Sequence, residues 1–89
     1  MDKTTDRIVN RFDYARIAKA TVIPLIAVYQ RPTDYPDKYV ARLWDAGRPT
    51  NTVALADDYD GILETIPTGQ MVSMGRGEKD DPAIVEVWI

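Results

Sequence analysis

Residues 35–45 read YPDKYVARLWD, and the alternation in the second half of this stretch predicts a β-strand. Successive side chains of a strand point to opposite faces of the sheet, so one face receives the apolar set Tyr39, Ala41 and Leu43. The other face receives Arg42 and Trp44, on the side that would ordinarily meet solvent. A cation and a large indole there indicate a second sheet face that a helix, another subunit or a ligand covers.

The flanking segments predict four more strands. We expect strands over five segments in all, each bounded by turn-forming residues: 23–30, 38–45, 52–56, 70–74 and 83–89. The first is apolar on both faces, which is typical of a central strand. We expect the hydrophobic face defined by Leu43 to include Val53, Leu55, Val85, Val87 and Ile89. Glu86 and Trp88 then lie on the Arg42 side.

Two segments predict helices. One is capped by Asp57 and ends before Pro67, with the apolar stripe Tyr59, Ile62, Leu63 and Ile66. The other runs from about Asp6 to Lys19, capped by Thr4 or Thr5, with the stripe Ile8, Phe12 and Ala15. The order α-β-β-β-α-β-β with short connections predicts an α+β fold. We expect an antiparallel sheet of about five strands, one helix on a face, and an extra N-terminal helix.

The charge distribution divides the sequence near the start of the first strand. Residues 1–31 hold six basic and three acidic side chains, whereas residues 32–89 hold five basic and eleven acidic ones. We therefore predict a basic amphipathic helix in residues 1–22 and a small α+β domain in residues 23–89. The helix would lie on or near an acidic body, in the same molecule or a neighbouring one. That body would repel a phosphate backbone, so nucleic acid is not the expected partner.

The composition excludes several classes of function. The protein has 89 residues, no cysteine and no histidine, so thiol nucleophiles, disulfides and the commonest general base are missing. The longest apolar run, at residues 21–29, is about half the length of a membrane span and contains Pro24. We expect a cytoplasmic, non-enzymatic protein with no membrane span and no cofactor. A protein this small also gains stability from self-association.

Three motifs together resemble a family of small, uncharacterised bacterial and phage-borne proteins. They are YPDKYVARLWD, PTNTVALADDYDGILETIP and DDPAIVEVWI, and the resemblance covers roughly residues 26–89. It implies the domain boundary and a cytoplasmic setting, and it supplies neither an activity nor site residues. This sequence departs from the family pattern by carrying about 22 additional N-terminal residues, so the second sheet face need not be open.

The first candidate binding surface is the second sheet face, with Arg42, Trp44 and Trp88 as its main side chains. Trp and Arg dominate binding hot spots, and an indole beside a guanidinium can stack a base and pair a phosphate. The same residues would be buried if the N-terminal helix or another subunit covered them. This surface is therefore either a recognition site or an internal contact.

Polar loops supply a second candidate group of ligand- or partner-binding residues: Arg31, Tyr35, Arg48, Thr50, Asn51 and Arg76. Turn chemistry alone also explains Thr50 and Asn51. Acidic residues cluster at 57–60 and 78–81, where helix capping and a solvated loop account for them. We therefore predict no metal site.

These observations favour a small binding protein that forms homo-oligomers. Given the phage-borne resemblance, the most concrete hypothesis is a counter-defence protein that sequesters a nucleotide signal. The alternative is an inhibitor or adaptor that binds a host protein through the Arg/Trp face. The nucleotide hypothesis predicts Arg and aromatic side chains converging at a subunit boundary, and the protein hypothesis predicts an exposed apolar patch.

Overall fold

In the computed structural model, which describes residues 6–77 and 81–89, the protein forms one mixed sheet and two helices. The strands are β1 (Arg7–Val9), β2 (Pro24–Gln30), β3 (Tyr39–Asp45), β4 (Arg48–Ala56), β5 (Ser73–Gly75) and β6 (Ile84–Trp88). The helices are α1 (Tyr14–Ala20) and α2 (Tyr59–Leu63). The predicted caps Thr4 and Thr5 lie outside the described residues.

The strands lie in the order β1-β4-β3-β2-β6-β5, so β2 is central, as its two apolar faces predict. β1 runs parallel to β4, and the other described strand pairs are antiparallel. The α+β class is confirmed. The described sheet has six strands and mixed direction, whereas five antiparallel strands were expected. The difference is β1, whose three residues are too short to produce a readable alternation.

The N-terminal segment is half strand and half helix. The predicted helix from Asp6 to Lys19 is wrong in its first half, because residues 7–9 pair with the edge of β4 and helix α1 begins only at Tyr14. The backbone N–H of Phe12 donates to the carbonyl of Thr65 at 2.7 Å, which holds the connecting segment extended. Of the predicted stripe only Phe12 is buried, whereas Ile8 is 59% exposed and Ala15 is exposed. Ile17, which was not part of the stripe, is buried instead.

One face of the sheet, the covered face, packs against both helices. Its core consists of sheet residues and helix or loop residues that bury one another: Phe12, Ile17, Ile26, Val28, Ala41, Leu43, Ala54, Ile62, Ile66 and Met71. The apolar residues of β3 thus lie inside, as their alternation predicts. α1 lies on this face, so it does not cover Arg42 and Trp44. The opposite face, the open face, carries no helix of the described residues.

The register between strands overturns the predicted assignment of residues to faces. Ala27 lies opposite both Arg42 and Val87, so the side chains of Arg42 and Val87 share the open face. Val28 lies opposite Glu86 and Ala41, which puts Glu86 on the covered face. Trp88, opposite Ile26, is also on the covered face. Alternation tells which residues of one strand share a face, but the pairing between strands depends on register.

The same register places more of the predicted hydrophobic set on the open face. Val53 lies opposite Arg42, and two residues further on Leu55 lies on the same side. Ile89 was expected in the core and is 53% exposed. The open face is therefore more apolar than the alternation of β3 alone indicated.

A two-residue turn joins β3 to β4. Asp45 pairs with Arg48, and the central residues Ala46 and Gly47 have φ values of 52° and 83°. Both residues are thus in the left-handed region, as a type I′ hairpin turn requires. The segment between the two predicted strands, residues 46–51, forms a shorter loop than expected, since β4 already begins at Arg48.

Helix α2 is capped by Asp58. The Asp58 carboxylate accepts a hydrogen bond from the backbone N–H of Gly61 at 2.7 Å. Asp57, the predicted cap, pairs instead with Lys38. The apolar stripe behaves as predicted for Ile62 and Ile66, which are buried.

Candidate functional site

A cavity of about 740 Å³ opens on the open face beside Arg42, and we call it the Arg42 cavity. The loop at residues 31–37, between β2 and β3, borders it. Its lining combines aromatic, acidic and small polar residues with a single described cation: Asp6, Tyr29, Pro32, Thr33, Asp34, Val40, Arg42, Trp44, Pro49, Thr50, Asn51 and Asp81. Four of the candidate residues named from the sequence therefore meet here: Arg42, Trp44, Thr50 and Asn51.

The carboxylate of Asp6, the residue just before β1, pairs with Arg42 in the lining of the cavity. The two terminal nitrogens of Arg42 donate to the two oxygens of Asp6, each at 3.0 Å. The hydroxyl of Tyr35, from the 31–37 loop, donates to Asp6 at 2.9 Å. The side chains of Arg42 and Asp6 are only 15% and 13% exposed, so this pair is largely removed from water.

The remaining donors on the terminal nitrogens of Arg42 are also engaged. Nη1 donates to the carbonyl of Thr50 at 2.8 Å, and Nη2 reaches the carboxylate of Asp34 at 3.4 Å. Each terminal nitrogen carries two hydrogens and contacts two acceptors. Each hydrogen on these two nitrogens thus already has an acceptor, and in this sense the guanidinium is saturated.

The pKa values around the pair follow from these contacts. The hydrogen bonds from Arg42 lower the pKa of Asp6 below its ordinary 3.8, against the effect of burial. Burial opposes the charge of Arg42, but the hydrogen bonds and charge of Asp6 raise its pKa above its ordinary value. Burial, with the hydrogen bond to Asp6, raises the pKa of Tyr35. The pair is therefore ionised at neutral pH, and the phenol of Tyr35 keeps its proton.

Two aromatic side chains form a wall of the cavity. Trp44 lies on β3, and Tyr29 lies on the neighbouring strand β2. Burial raises the pKa of Tyr29 against the opposing effect of the nearby Trp44 indole, so the Tyr29 hydroxyl stays protonated. The indole N–H of Trp44 is buried, and no hydrogen bond of good geometry satisfies it within residues 6–77 and 81–89. The nearby Tyr29 hydroxyl is the group that this N–H approaches, and the N–H itself is closed off from solvent.

The charge of the cavity is negative. Among the described lining residues, the carboxylates of Asp6, Asp34 and Asp81 outnumber the single guanidinium of Arg42. Because Asp6 neutralises Arg42 directly, the field at the mouth comes mainly from Asp34 and Asp81. An arrangement of carboxylates beside aromatic rings suits a positively charged organic group and opposes a phosphate.

A second feature of the open face is an apolar stripe, which we define as Leu25, Val72, Met74, Val87 and Ile89. Met74 lies opposite Val87 in the β5–β6 pair. The backbones of Val72 and Ile89 exchange two hydrogen bonds, 2.7 and 2.9 Å long, which extends the same pairing. Val72, Met74 and Ile89 are 63%, 49% and 53% exposed. Contiguous exposure of this kind marks an interaction surface more often than a solvated one.

The other predicted site residues lie elsewhere. Trp88 packs against the core of the covered face, and its indole N–H donates to Glu86 at 2.8 Å. Arg48 is exposed at the start of β4, beside the hairpin turn. Arg76 is exposed just after β5, at the far edge of the sheet from β1. Tyr35 borders the cavity only through its hydrogen bond to Asp6.

Among the cavity residues that the sequence did not indicate are one aromatic and three acidic side chains: Asp6, Tyr29, Asp34 and Asp81. Tyr29 was assigned to a strand with two apolar faces. The alternation of that strand tells on which face Tyr29 lies, but not which residues of other strands lie beside it. Asp34 and Asp81 lie in segments whose polarity turn chemistry explains. The Asp6–Arg42 pair spans 36 positions and arises from the parallel pairing of β1, for which the sequence carries no local signal.

Comparison with protein-family models, curated proteins and solved structures gave no match to this protein. The resemblance stated from the motifs therefore remains a prediction. No helix in the described part of the molecule is long and apolar enough to cross a membrane. Within residues 6–77 and 81–89, no three acidic side chains are grouped so as to hold a metal ion.

Proposed function

We propose that the protein is a non-enzymatic binding protein whose Arg42 cavity takes a lysine- or arginine-bearing segment of a protein partner. The observation that carries this proposal is the saturation of Arg42 in a cavity with excess carboxylate. A cationic side chain can lie between Asp34 and Asp81 with its stem against Tyr29 and Trp44. Each of these contacts uses a group already in place.

Trp44 offers a docked segment the surface of its indole ring, because its N–H is buried away from solvent. The stem of the cationic side chain must pass along this ring while its charge lies near Asp34 and Asp81. These two requirements give the binding an orientation. The protein would then act by occupying a surface of its partner, as an inhibitor or adaptor does.

A titration followed by nuclear magnetic resonance tests this proposal. The protein has two tryptophans. The side chain of Trp44 lines the cavity, whereas the indole N–H of Trp88 is hydrogen-bonded on the covered face. A Trp88→Phe variant assigns the two indole signals. We expect a short Lys/Arg peptide to shift the Trp44 signal and leave the Trp88 signal in place, and a Glu peptide of the same length to shift neither.

Charge variants locate the binding. Asp81→Asn should weaken binding of the cationic peptide by about twofold to fivefold, the range for a partly exposed ion pair. Asp60→Asn, on helix α2, is the matched control and should leave the affinity unchanged. Equal weakening by both variants would indicate only a general effect of net charge and would contradict the proposal.

A nucleotide is the second candidate ligand, and the aromatic wall of the cavity favours it. A base could stack on the ring of Tyr29 or Trp44. The saturated guanidinium and the surrounding carboxylates count against the phosphate. In the same titration, a shift of Trp44 with ATP but not with the cationic peptide would exchange the ranking of the two candidates.

We propose further that the apolar stripe pairs two copies of the protein. The stripe contains no charged residue, whereas the whole molecule has a net charge of −3. Two copies that meet here therefore bury apolar surface without bringing like charges into contact. The acidic cavity cannot serve as a self-complementary contact in this way.

Sedimentation of paired variants tests the self-association. Met74→Glu places a charge in the stripe on β5, and Ile8→Glu places the same charge on an exposed residue of β1, at the opposite edge of the sheet. We expect a dimer of the 10.0 kDa protein for the wild type and for Ile8→Glu, and a monomer for Met74→Glu. A wild type that stays monomeric at high concentration would refute this part of the proposal.

A further inference from the structure

The carboxylate of Asp6 occupies the Arg42 cavity in the way a separate ligand would. It accepts two parallel hydrogen bonds from Arg42 and a third from Tyr35. Both donor residues are distant in sequence, 36 and 29 positions away. The three donor groups form a receptor for a carboxylate, and the segment that carries Asp6 contributes none of them.

The receptor is anchored independently of this segment. Arg42 belongs to β3, which is paired on both sides, and its Nη1 is fixed by the carbonyl of Thr50 at 2.8 Å. The loop that carries Tyr35 is closed by its own backbone bonds, from Tyr35 to Pro32 at 3.0 Å and from Arg31 to Lys38 at 2.9 Å. The donors can thus keep their places when Asp6 is absent.

The segment that carries Asp6 is held more weakly. β1 has three residues and lies at the edge of the sheet, where β4 is its one partner among the described strands. Its first two residues are exposed, and Ile8 is among the most exposed large apolar residues of the described part of the molecule. Short edge elements open locally at a lower free energy than central strands. The receptor is therefore held firmly, whereas the Asp6 carboxylate precedes an edge strand that can open locally.

We propose that the Arg42–Tyr35 receptor is a carboxylate-binding site that Asp6 fills in cis, and that release of β1 opens it to a carboxylate of another molecule. An Asp or Glu side chain or the terminal carboxylate of a polypeptide carries the required group. Release removes one negative charge from the cavity and frees two donors of Arg42. The position of β1 thus decides whether these donors are free to bind a carboxylate from outside. This inference stands on the Asp6 contacts alone and does not depend on the partner proposed above.

Chemical rescue tests the inference in the full-length protein. Asp6→Ala removes the carboxylate of the side chain, and acetate supplies a carboxylate in solution. At neutral pH, we expect acetate at about ten times its dissociation constant to raise the unfolding midpoint of Asp6→Ala by roughly 5–10 °C more than sodium chloride of equal ionic strength. The wild type, whose receptor is filled, should respond equally to the two salts.

The double variant Asp6→Ala/Arg42→Met identifies the receptor and should lose the difference between acetate and chloride. If Asp6→Ala does not fold in chloride, recovery of its circular dichroism in acetate supports the inference in the same way. Equal effects of acetate and chloride, or a rescue that persists without Arg42, would overturn it. A response to phosphate without one to acetate would overturn the assignment to carboxylate.

Discussion

The two faces of this sheet bury their apolar residues by different means. The covered face is covered by α1, α2 and the segments beside them. These pack Phe12, Ile17, Ile62 and Ile66 onto the sheet. Of the described residues, the 31–37 loop and Asp6 cover part of the open face, which elsewhere presents the apolar stripe. The comparison indicates that stability resides mainly on the covered face, while the open face provides the surface on which other molecules can bind.

The largest expected difference between the faces comes from truncating one apolar residue on each. Ile62 is fully buried, and Ile62→Ala should lower the free energy of unfolding by about 3–4 kcal/mol through lost burial and a residual cavity. Met74 is 49% exposed, and Met74→Ala should lower it by less than about 1 kcal/mol. Urea unfolding at a concentration that keeps the protein monomeric measures both. Equal losses would mean that the open face is as well packed as the covered one.

The Asp6–Arg42 pair is the exception on the open face, where we expect a core-like effect. Asp6→Asn should cost about 2 kcal/mol at neutral pH, because Arg42 is left largely buried with weakened partners. The pKa of Asp6 in the folded protein is lowered from 3.8. Its contribution is therefore complete above that value and lost as the pH falls through the lowered pKa.

The unfolding free energies of the wild type and Asp6→Asn, measured from neutral pH down to acid, should accordingly converge below pH 3.8. Asp57→Asn provides the control, because Asp57 is exposed and its pKa is lowered mainly by a hydrogen bond from Lys38 at the surface. A gap between wild type and Asp6→Asn that persists unchanged in acid would show that the carboxylate charge is not what stabilises β1.

A smaller effect separates two adjacent carboxylates at the start of α2. Asp58→Ala removes the cap on the N–H of Gly61 and should cost about 1 kcal/mol. Asp57→Ala breaks an exposed ion pair, which solvent screens, and should change the stability by less than Asp58→Ala does. Thermal unfolding of the two variants distinguishes them. The reverse ranking would restore Asp57 as the cap, which the sequence alone predicted.

The sequence predicts the elements of the covered face well because their signals are local. The alternation in β3, the apolar run of β2 and the stripe of α2 are each contained in about ten residues, and the side chains of Ala41, Leu43 and Ile62 lie where these patterns put them. β1 has no such signal, because three residues cannot establish a period. It is recognisable only through its parallel pairing with β4.

The candidate site was less predictable because it depends on register. Arg42 and Trp44 were placed correctly relative to each other, since both belong to one strand. Trp88 was assigned to their side and lies on the other, because the β2–β6 pairing sets Val87 and not Trp88 opposite Ala27. The register shift between Val28 and Tyr29 adds an irregularity that no alternation reports. The cavity is a product of strand order and register, and the sequence encodes these only through the whole fold.

The smallest expected effect concerns the hairpin turn, which joins two strands that contribute to both faces. Ala46 has a φ of 52°, a region that costs an L-residue about 1–2 kcal/mol and glycine almost nothing. Ala46→Gly removes this strain but loses part of the gain to the greater freedom of glycine in the unfolded state, so we expect a net stabilisation of about 0.5 kcal/mol. Asn tolerates the same conformation, so Ala46→Asn should also stabilise the protein.

Because the turn affects β3 and β4 as a unit, the gain in stability should appear in global urea unfolding and leave the Trp44 indole signal unmoved. A changed Trp44 signal would mean that the turn strain helps to position the cavity wall.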